Sequence, residues 1–440
     1  MEKSKVYFTN MRTKTDVNLQ EKLSRLLKKA GIGTIDFNQK YTAVKMHFGE
    51  PGNLAYLRPN YAKTVVDVIR ELGGKPFLTD CNTLYVGGRK NALDHIDSAY
   101  TNGFSPFSTG CHILIGDGLK GTDDVLVPVA GGEYVKEAKI GRAIMDADIF
   151  ISLTHFKGHE LTGFGGTLKN IGMGCGSRAG KMEMHSAGKP FVDQELCVGC
   201  GSCRKVCAQD AITISSKKAA IDHDKCAGCG RCIGVCPRDA VNPASDESED
   251  ILNRKIAEYT KAVITGRPNF HISLVVDVAP FCDCHPENDL SIVPDIGMFA
   301  SFDPVALDVA CADAVNRQPV LPGSLLSEKE HCHHDHFTDT HPDTNWKSCI
   351  DHAVKLGLGL AAAWGMVSHC QGEYAARGTV LGLTPSGEEG AMFLTLSLGA
   401  AGAVVGVTAG SLVSLGYLAL RFRFHGDGTV PRLYRDSPPA

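Results

Sequence analysis

Apolar positions recur along the chain in two alternating rhythms. Lys5–Thr9 is a short β-prone run, and Leu19, Leu23, Leu26 and Leu27 then fall on one helical face over Leu19–Lys29, a helix that Gly31 ends. Tyr41–Phe48 alternates as a strand and runs into the turn residues Gly49, Glu50, Pro51 and Gly52. Val65, Val66, Val68, Ile69 and Leu72 predict a helix over Tyr61–Leu72, stopped by Gly73 and Gly74, and Pro76–Asp80 reads as the next strand. A β-rich stretch at Val125–Val129, a helix at Tyr134–Met145 and a buried strand at Asp148–Leu153 follow. The pattern resumes later with a helix at Ile251–Thr265, a strand at His271–Val278 and a helix at Pro304–Val315, where Asp303 is placed to cap and Pro304 takes the first turn. Strands alternating with helices of this length predict an α/β domain with a largely parallel sheet.

What interrupts the rhythm is a segment with a different logic. Eight of the seventeen cysteines lie in two matching runs, Cys197, Cys200, Cys203 and Cys207, then Cys226, Cys229, Cys232 and Cys236. Each run has the spacing Cys-x2-Cys-x2-Cys-x3-Cys by which bacterial ferredoxins hold a [4Fe–4S] cluster. A shift of 29 residues also aligns Val192 with Ile221, Asp193 with Asp222, Asp210 with Asp239 and Ala211 with Ala240, as expected of one folding unit used twice. Gly199, Gly201, Gly228 and Gly230 stand where the chain must turn tightly against a cluster. In two-cluster ferredoxins the fourth cysteine of each run ligates the other cluster. One cluster is therefore assigned to Cys197, Cys200, Cys203 and Cys236, and the other to Cys226, Cys229, Cys232 and Cys207. Structural zinc also takes paired Cys-x2-Cys, but rarely draws its four ligands from a triple run. Ala208 stands where the second run has Pro237, which removes a rigid exit turn but no ligand.

These readings predict an α/β fold with a largely parallel sheet, an inserted two-cluster ferredoxin-like (α+β) domain and a hydrophobic C-terminal segment. The expected divisions are 1–189 and 242–357 for the two parts of the α/β domain, 190–241 for the insert, 358–390 for a linker, 391–420 for a membrane helix and 421–440 for a tail. An insert is tethered at both ends, so its clusters are held at one place against the host domain.

Composition narrows the setting. With 43% hydrophobic and 21% charged residues the chain is an ordinary globular one, and a net charge of −4 with no basic stripe argues against nucleic acid. The first fifteen residues lack the apolar core of a secretory signal, so this many cysteines points to a reducing cytoplasmic setting and to metal, not disulfides.

Three further stretches carry candidate chemistry. The first, 154–185, follows the strand at 148–153 directly, where ligands of open α/β sheets bind, and holds His155, Lys157, His159, Lys169, Cys175 and His185 among glycines. His155, Lys157, His159 and Lys169 are the candidate catalytic residues, able to bind an anion or relay protons, although a glycine-rich loop packing against the insert is the alternative. The second, Cys282, Asp283, Cys284 and His285, follows the strand at 271–278. Its cysteines lack the Cys-x2-Cys spacing of dithiol catalysts, so Cys282, Cys284 and His285 are read as extra metal ligands. The third, 331–341, adds His333 and His336 as further candidate ligands, against the alternative of a solvated polar loop.

The stretches THFKGHELTGFGGTLKNIGMGCGSRAGKMEMH (154–185), VDVAPFCDCHPENDLSIVPDIGMFASFDPVALDVAC (276–311) and DHFTDTHPDTNW (335–346) resemble the family called domain of unknown function 362, often labelled Fe–S centre proteins. The resemblance runs over roughly residues 3–357. It implies an α/β domain carrying two [4Fe–4S] clusters and supplies no activity.

Beyond the resemblance, Ala391–Leu420 is thirty residues without charge, and about 20 suffice for a bilayer-spanning helix. A membrane span is the preferred expectation, with attachment to the cytoplasmic membrane; a buried Gly/Ala-rich helix and a readthrough extension are the alternatives. A weaker apolar stretch at Leu356–Val367 would complete a hairpin with both ends cytoplasmic. The functional expectation is an iron–sulfur protein that exchanges electrons with a site in its α/β domain, as a ferredoxin-linked oxidoreductase, through a redox partner protein or a small-molecule electron acceptor. The alternatives are a non-enzymatic electron carrier or assembly component, and a metal-handling protein.

Overall fold

A computed structural model describes residues 4–84, 87–185, 189–226, 228, 230–243, 249–329 and 334–360, with the backbone of three further strands at 363–367, 372–375 and 379–382. One ten-stranded sheet organises them. Its strands in chain order are β1 (Ser4–Asn10), β2 (Tyr41–Lys45), β3 (Lys75–Asp80), β4 (Ile113–Ile115), β5 (Ile149–His155), β6 (Asn269–Val275), β7 (Gly297–Ser301), β8 (Ala363–Val367), β9 (Gly372–Ala375) and β10 (Thr379–Gly382). The spatial order is β10-β9-β8-β1-β7-β6-β5-β2-β3-β4. The run β6-β5-β2-β3-β4 is parallel throughout, so the carboxyl ends of these strands share one edge. β7 enters antiparallel between β6 and β1.

Strand alternation sends side chains to two cores. Ile149, Ile151 and Leu153 of β5 meet helices α1 (Leu19–Ala30) and α2 (Pro59–Glu71), whereas Phe150 faces the opposite way. There it joins α4 (Thr167–Cys175), α6 (Glu249–Ile264), α7 (Pro304–Asn316) and α8 (Trp346–Lys355), while α3 (Ala92–Thr101) serves the β3–β4 crossover. Both caps read from the sequence are made: Gly31 ends α1 at φ 93°, and Asp303 accepts the Val305 and Ala306 N–H groups to start α7.

Two expectations are corrected. Tyr134–Met145 is not one helix, because Glu137–Gly141 pairs with Asp124–Pro128 as a hairpin and only Arg142–Met145 is helical. The buried Glu258 carboxylate accepts the backbone N–H groups of Glu133 and Val135, at 2.7 and 2.6 Å, and holds that entry in a loop. Ala138 and Ile140, both buried, then follow a strand period of two. The apolar stretch Leu356–Val367 is not a membrane hairpin arm, since its second half is β8, paired with β1. No helix among the described residues is long and apolar enough to cross a membrane, and the expected span 391–420 lies outside them.

The cysteine-rich segment belongs to the single crossover from β5 to its parallel neighbour β6, after α4 and α5 (Arg178–His185) and before α6. It holds two short antiparallel pairs, Pro190–Val192 with Val241–Pro243 and Ile212–Ser215 with Lys218–Ile221. Its halves are tied reciprocally: Asp193 N–H donates to the Ala240 carbonyl, and Asp222 N–H donates to the Ala211 carbonyl. Those two bonds map onto each other under the 29-residue shift.

Candidate functional site

Three parallel neighbours each end in an ionisable residue. Lys45 closes β2, Asp80 closes β3 and His155 closes β5, and all three line one cavity of about 260 Å³ at the carboxyl edge of the sheet. Lys45 is buried, with Nζ 3.0 Å from Asp80 Oδ1 and 2.8 Å from Asn170 Oδ1 on α4. Burial alone would raise the Asp80 carboxyl, but Lys45, with His95 and Lys181, outweighs it and holds the group below its usual range.

The candidate residues of 154–185 and 282–285 converge on this same cavity: His155, Lys157, His159 and Lys169 from the first, Cys282, Cys284 and His285 from the second. Their hydrogen bonds separate their roles. His155 Nδ1 lies 2.9 Å from the Asp283 carboxylate and Nε2 lies 2.8 Å from the Val276 carbonyl, so both ring nitrogens are engaged by acceptors. Lys157 Nζ is 3.4 Å from Asp283 Oδ2. Burial disfavours its ammonium, yet Asp283 and the cysteine pair outweigh burial and hold Lys157 above its usual range. His155 and Lys157 thus steady Asp283, the residue between the two cysteines.

His159 behaves differently. Its Nδ1 accepts the N–H groups of Leu161 and Thr162, at 3.1 and 3.2 Å, which leaves Nε2 as the ring N–H that faces the cavity. A hydrogen bond from His159 favours ionisation of Cys282, and Lys169 Nζ is 3.6 Å from the Cys282 sulfur. The two thiols act as a pair. Cys282 is held down by the S–H of Cys284 and then, against burial, by Lys169 and Lys157. Cys284 is held up, because it donates to Cys282 and a second negative sulfur there would face the first.

Ligand atoms of His159, Cys282 and Cys284 lie within 4.8 Å of one another, and so do those of Glu160, Cys284 and His285. Either trio is close enough to hold a metal ion. A metal-bound histidine ordinarily donates its second ring N–H to an acceptor, and the two backbone donors at His159 Nδ1 are the reverse of that arrangement. His285 Nε2 is paired at 2.8 Å with Glu160 Oε1.

The third stretch does not join. His336 donates from Nε2 to the Gln318 carbonyl and takes no part in the cavity lining. His341 instead donates to the Pro280 carbonyl, two residues before Cys282, and so braces that loop. His333 lies outside the described residues. The sequence reading missed Lys45, His47, Asp80, Arg89, Glu160 and Lys181, all in the lining. A lysine ending an apolar strand and an aspartate ending its neighbour were the available signals.

The seven described cysteines of the repeated runs gather crosswise. Cys197, Cys200, Cys203 and Cys236 line one small cavity, and Cys207, Cys226 and Cys232 line another; Cys229 lies outside the described residues. Backbone N–H groups point at the sulfurs: Ala219 at Cys197, Ala240 at Cys236 and Ala211 at Cys207, each at 3.3 Å, and Gly228 at Cys226 at 3.4 Å. Gly199, Gly201, Gly228 and Gly230 all take φ between 65° and 76°. Helix α5 stands between the two regions. Met182 joins the apolar cluster that contains Cys197, Cys203 and Cys232, while Lys181 and His185 line the large cavity. Leu84 belongs to both linings, so the wall is shared.

No curated protein matches the chain. Among solved structures, it is similar to the lactate racemase apoprotein of Thermoanaerobacterium thermosaccharolyticum, at 9% identity over 61% of this chain and 47% of that one, with a TM-score of 0.28. It is also similar to a structural-genomics protein of Thermotoga maritima, at 14% identity over 65% of this chain and 55% of that one, with a TM-score of 0.33. The chain thus spans about half the length of each, and likenesses this distant speak neither to fold nor to activity. A model of the family described as Domain of unknown function (DUF362) matches residues 42–313, more than half of the chain, and the protein belongs to that family.

Proposed function

We propose that the protein binds two [4Fe–4S] clusters in the segment 190–243 and carries electrons to or from the cavity at the carboxyl edge of its sheet. The observation that carries this reading is the crosswise grouping of the thiols. One cavity is lined by three cysteines of the first run and the fourth of the second, and the other by the complementary set as far as it is described. A donor set of four thiols fits a cubane, and the N–H groups aimed at Cys197, Cys207, Cys226 and Cys236 would offset the negative charge such a group brings. Bound there, each cluster would supply one-electron transfer at a potential tuned by those N–H contacts and by exposure.

The chain's own residues fit the receiving end. Leu84 and α5 contribute to both regions, and Asp283 is fixed by His155 and Lys157 so that Cys282 and Cys284 hold their places. Lys169 faces the Cys282 sulfur with positive charge. The electrons are exchanged with a redox partner protein or a small-molecule acceptor.

Iron and acid-labile sulfide analysis of anaerobically purified protein, with EPR of the reduced form, tests the reading. About eight irons per chain with matching sulfide are expected. Zinc without sulfide would overturn it. Turnover with candidate acceptors in Lys169→Met protein then tests the receiving cavity: an unchanged rate with intact clusters would leave a carrier that docks elsewhere.

A further inference from the structure

We propose that Cys282 and Cys284 form a reversible dithiol–disulfide couple inside the large cavity, which collects the single electrons of the cysteine-rich segment into pairs. The inference rests on the electron-transfer reading above and says what receives the electrons.

Geometry comes first. The Cys282 carbonyl accepts the His285 N–H at 3.1 Å, which closes residues 282–285 into a turn. Cα atoms two residues apart stand about 7 Å from each other in an extended chain, and the turn shortens that separation toward the roughly 4.4–6.8 Å that a disulfide spans. The side chains converge as well, with both sulfurs in one group whose ligand atoms lie within 4.8 Å of each other. Asp283 cannot swing between them, because its carboxylate is held by His155 and Lys157. Cys282 is buried, and both cysteines line the cavity.

The neighbours suit thiol exchange better than a metal. His159 presents Nε2–H, a proton donor, because its Nδ1 is occupied by two backbone N–H groups. Lys169 gives Cys282 a positive counter-charge, the environment in which a cysteine reacts as thiolate. In the reductive direction the S–S bond takes up two electrons and two protons, and two thiols result. The electrons come one at a time from a low-potential one-electron donor by way of the cysteine-rich segment. The reverse step releases the two electrons and two protons to a two-electron acceptor in the cavity.

Mass spectrometry of the anaerobic holoprotein tests this directly. Trypsin should release residues 262–317 as one peptide holding Cys282, Cys284 and Cys311, since the bond after Arg267 precedes a proline. After oxidation, rapid unfolding in iodoacetamide should label Cys311 alone; after dithionite it should label all three. Reductive titration should take up about four electrons per chain in the native protein and about two in Cys282→Ser or Cys284→Ser protein. Three labels in every redox state would overturn the couple. So would stoichiometric zinc or iron beyond the cluster content that disappears in Cys282→Ser protein, which would make the site a metal centre. If iron and sulfide are absent but the peptide still cycles with oxidised and reduced dithiothreitol, the couple stands and the electron-transfer reading fails.

Discussion

The two cysteine-bearing regions are built on opposite principles. In the segment 190–243 the thiols come first and the fold is slight. Among the described residues, its own buried hydrophobic residues beyond the cysteines amount to Ala211, Ile212, Ala219, Ile233, Ala240 and Val241, and its strands are three or four residues long. Around the large cavity the fold comes first. Two extensive cores sandwich the sheet, and Cys282 and Cys284 sit in a matrix of ion pairs held by strand ends. A region with so small a core needs cross-links to be stable, whereas the cavity is preformed by the sheet.

Removal of the proposed clusters should break this comparison most visibly. On chelation under reducing conditions, amide exchange in 190–243 should rise by orders of magnitude and proteases should cut there, while β2, β3, β5 and β6 keep their protection. Equal loss in both regions would show that the segment supports the sheet and not the reverse.

The next effect is confined to the sheet. Asp80→Asn leaves the Lys45 ammonium buried beside a neutral amide and should cost about 3–5 kcal/mol in urea denaturation. Asp239→Asn, which removes the more exposed partner of Lys90 on the cysteine-rich segment, should cost less than about 1 kcal/mol. Comparable losses would mean that the two regions are equally dependent on their charges.

Within the segment, two glycines of equivalent appearance should part company. Gly201 has φ 76° and open space beyond it, so Gly201→Ala should cost only the roughly 1 kcal/mol of a left-handed alanine. A Cβ at Gly199, φ 65°, would lie 2.4 Å from the Lys217 carbonyl carbon. Gly199→Ala should therefore retain severalfold less iron after gel filtration than Gly201→Ala.

The smallest effect lies at the cavity mouth and depends on pH. Burial would raise Glu160, but His159 and the hydrogen bond from His285 hold it down at about 2. That stabilisation is full above an unfolded value of about 4.3 and is lost as pH falls through about 2. The Glu160 hydrogen bond raises His285 against burial, and this share is full below about 6.5 and lost as pH rises through the folded value. The pair should contribute most between about pH 4.3 and 6.5, and no more than about 1 kcal/mol because it is about a third exposed. A double-mutant cycle of Glu160→Gln and His285→Gln measured across pH checks this; a coupling that does not vary with pH would remove the ion pair from the account.

Legibility followed the range of the interaction. Leu19–Lys29 and Pro304–Val315 were readable because the caps Gly31 and Asp303 sit beside the turns they serve. Tyr134–Met145 was misread because a partner strand at 124–128 and Glu258, more than a hundred residues away, decide its path. The loops 154–185 and 282–285 were each legible as strand-end segments. Their union was not, nor were Lys45 and Asp80, since each is an ordinary residue until β2, β3 and β5 set their ends side by side.

The sequence by itself determined the cysteine spacing, the repeat and the alternation of strands and helices, because each is a relation between residues close along the chain. The tertiary structure decided which thiols share a cavity, which histidine nitrogen faces Cys282, and which charges are paired. Those depend on contacts between residues far apart along the chain, 128 positions for His155 and Asp283 and 149 for Lys90 and Asp239, and only the packed fold brings such residues within hydrogen-bonding distance.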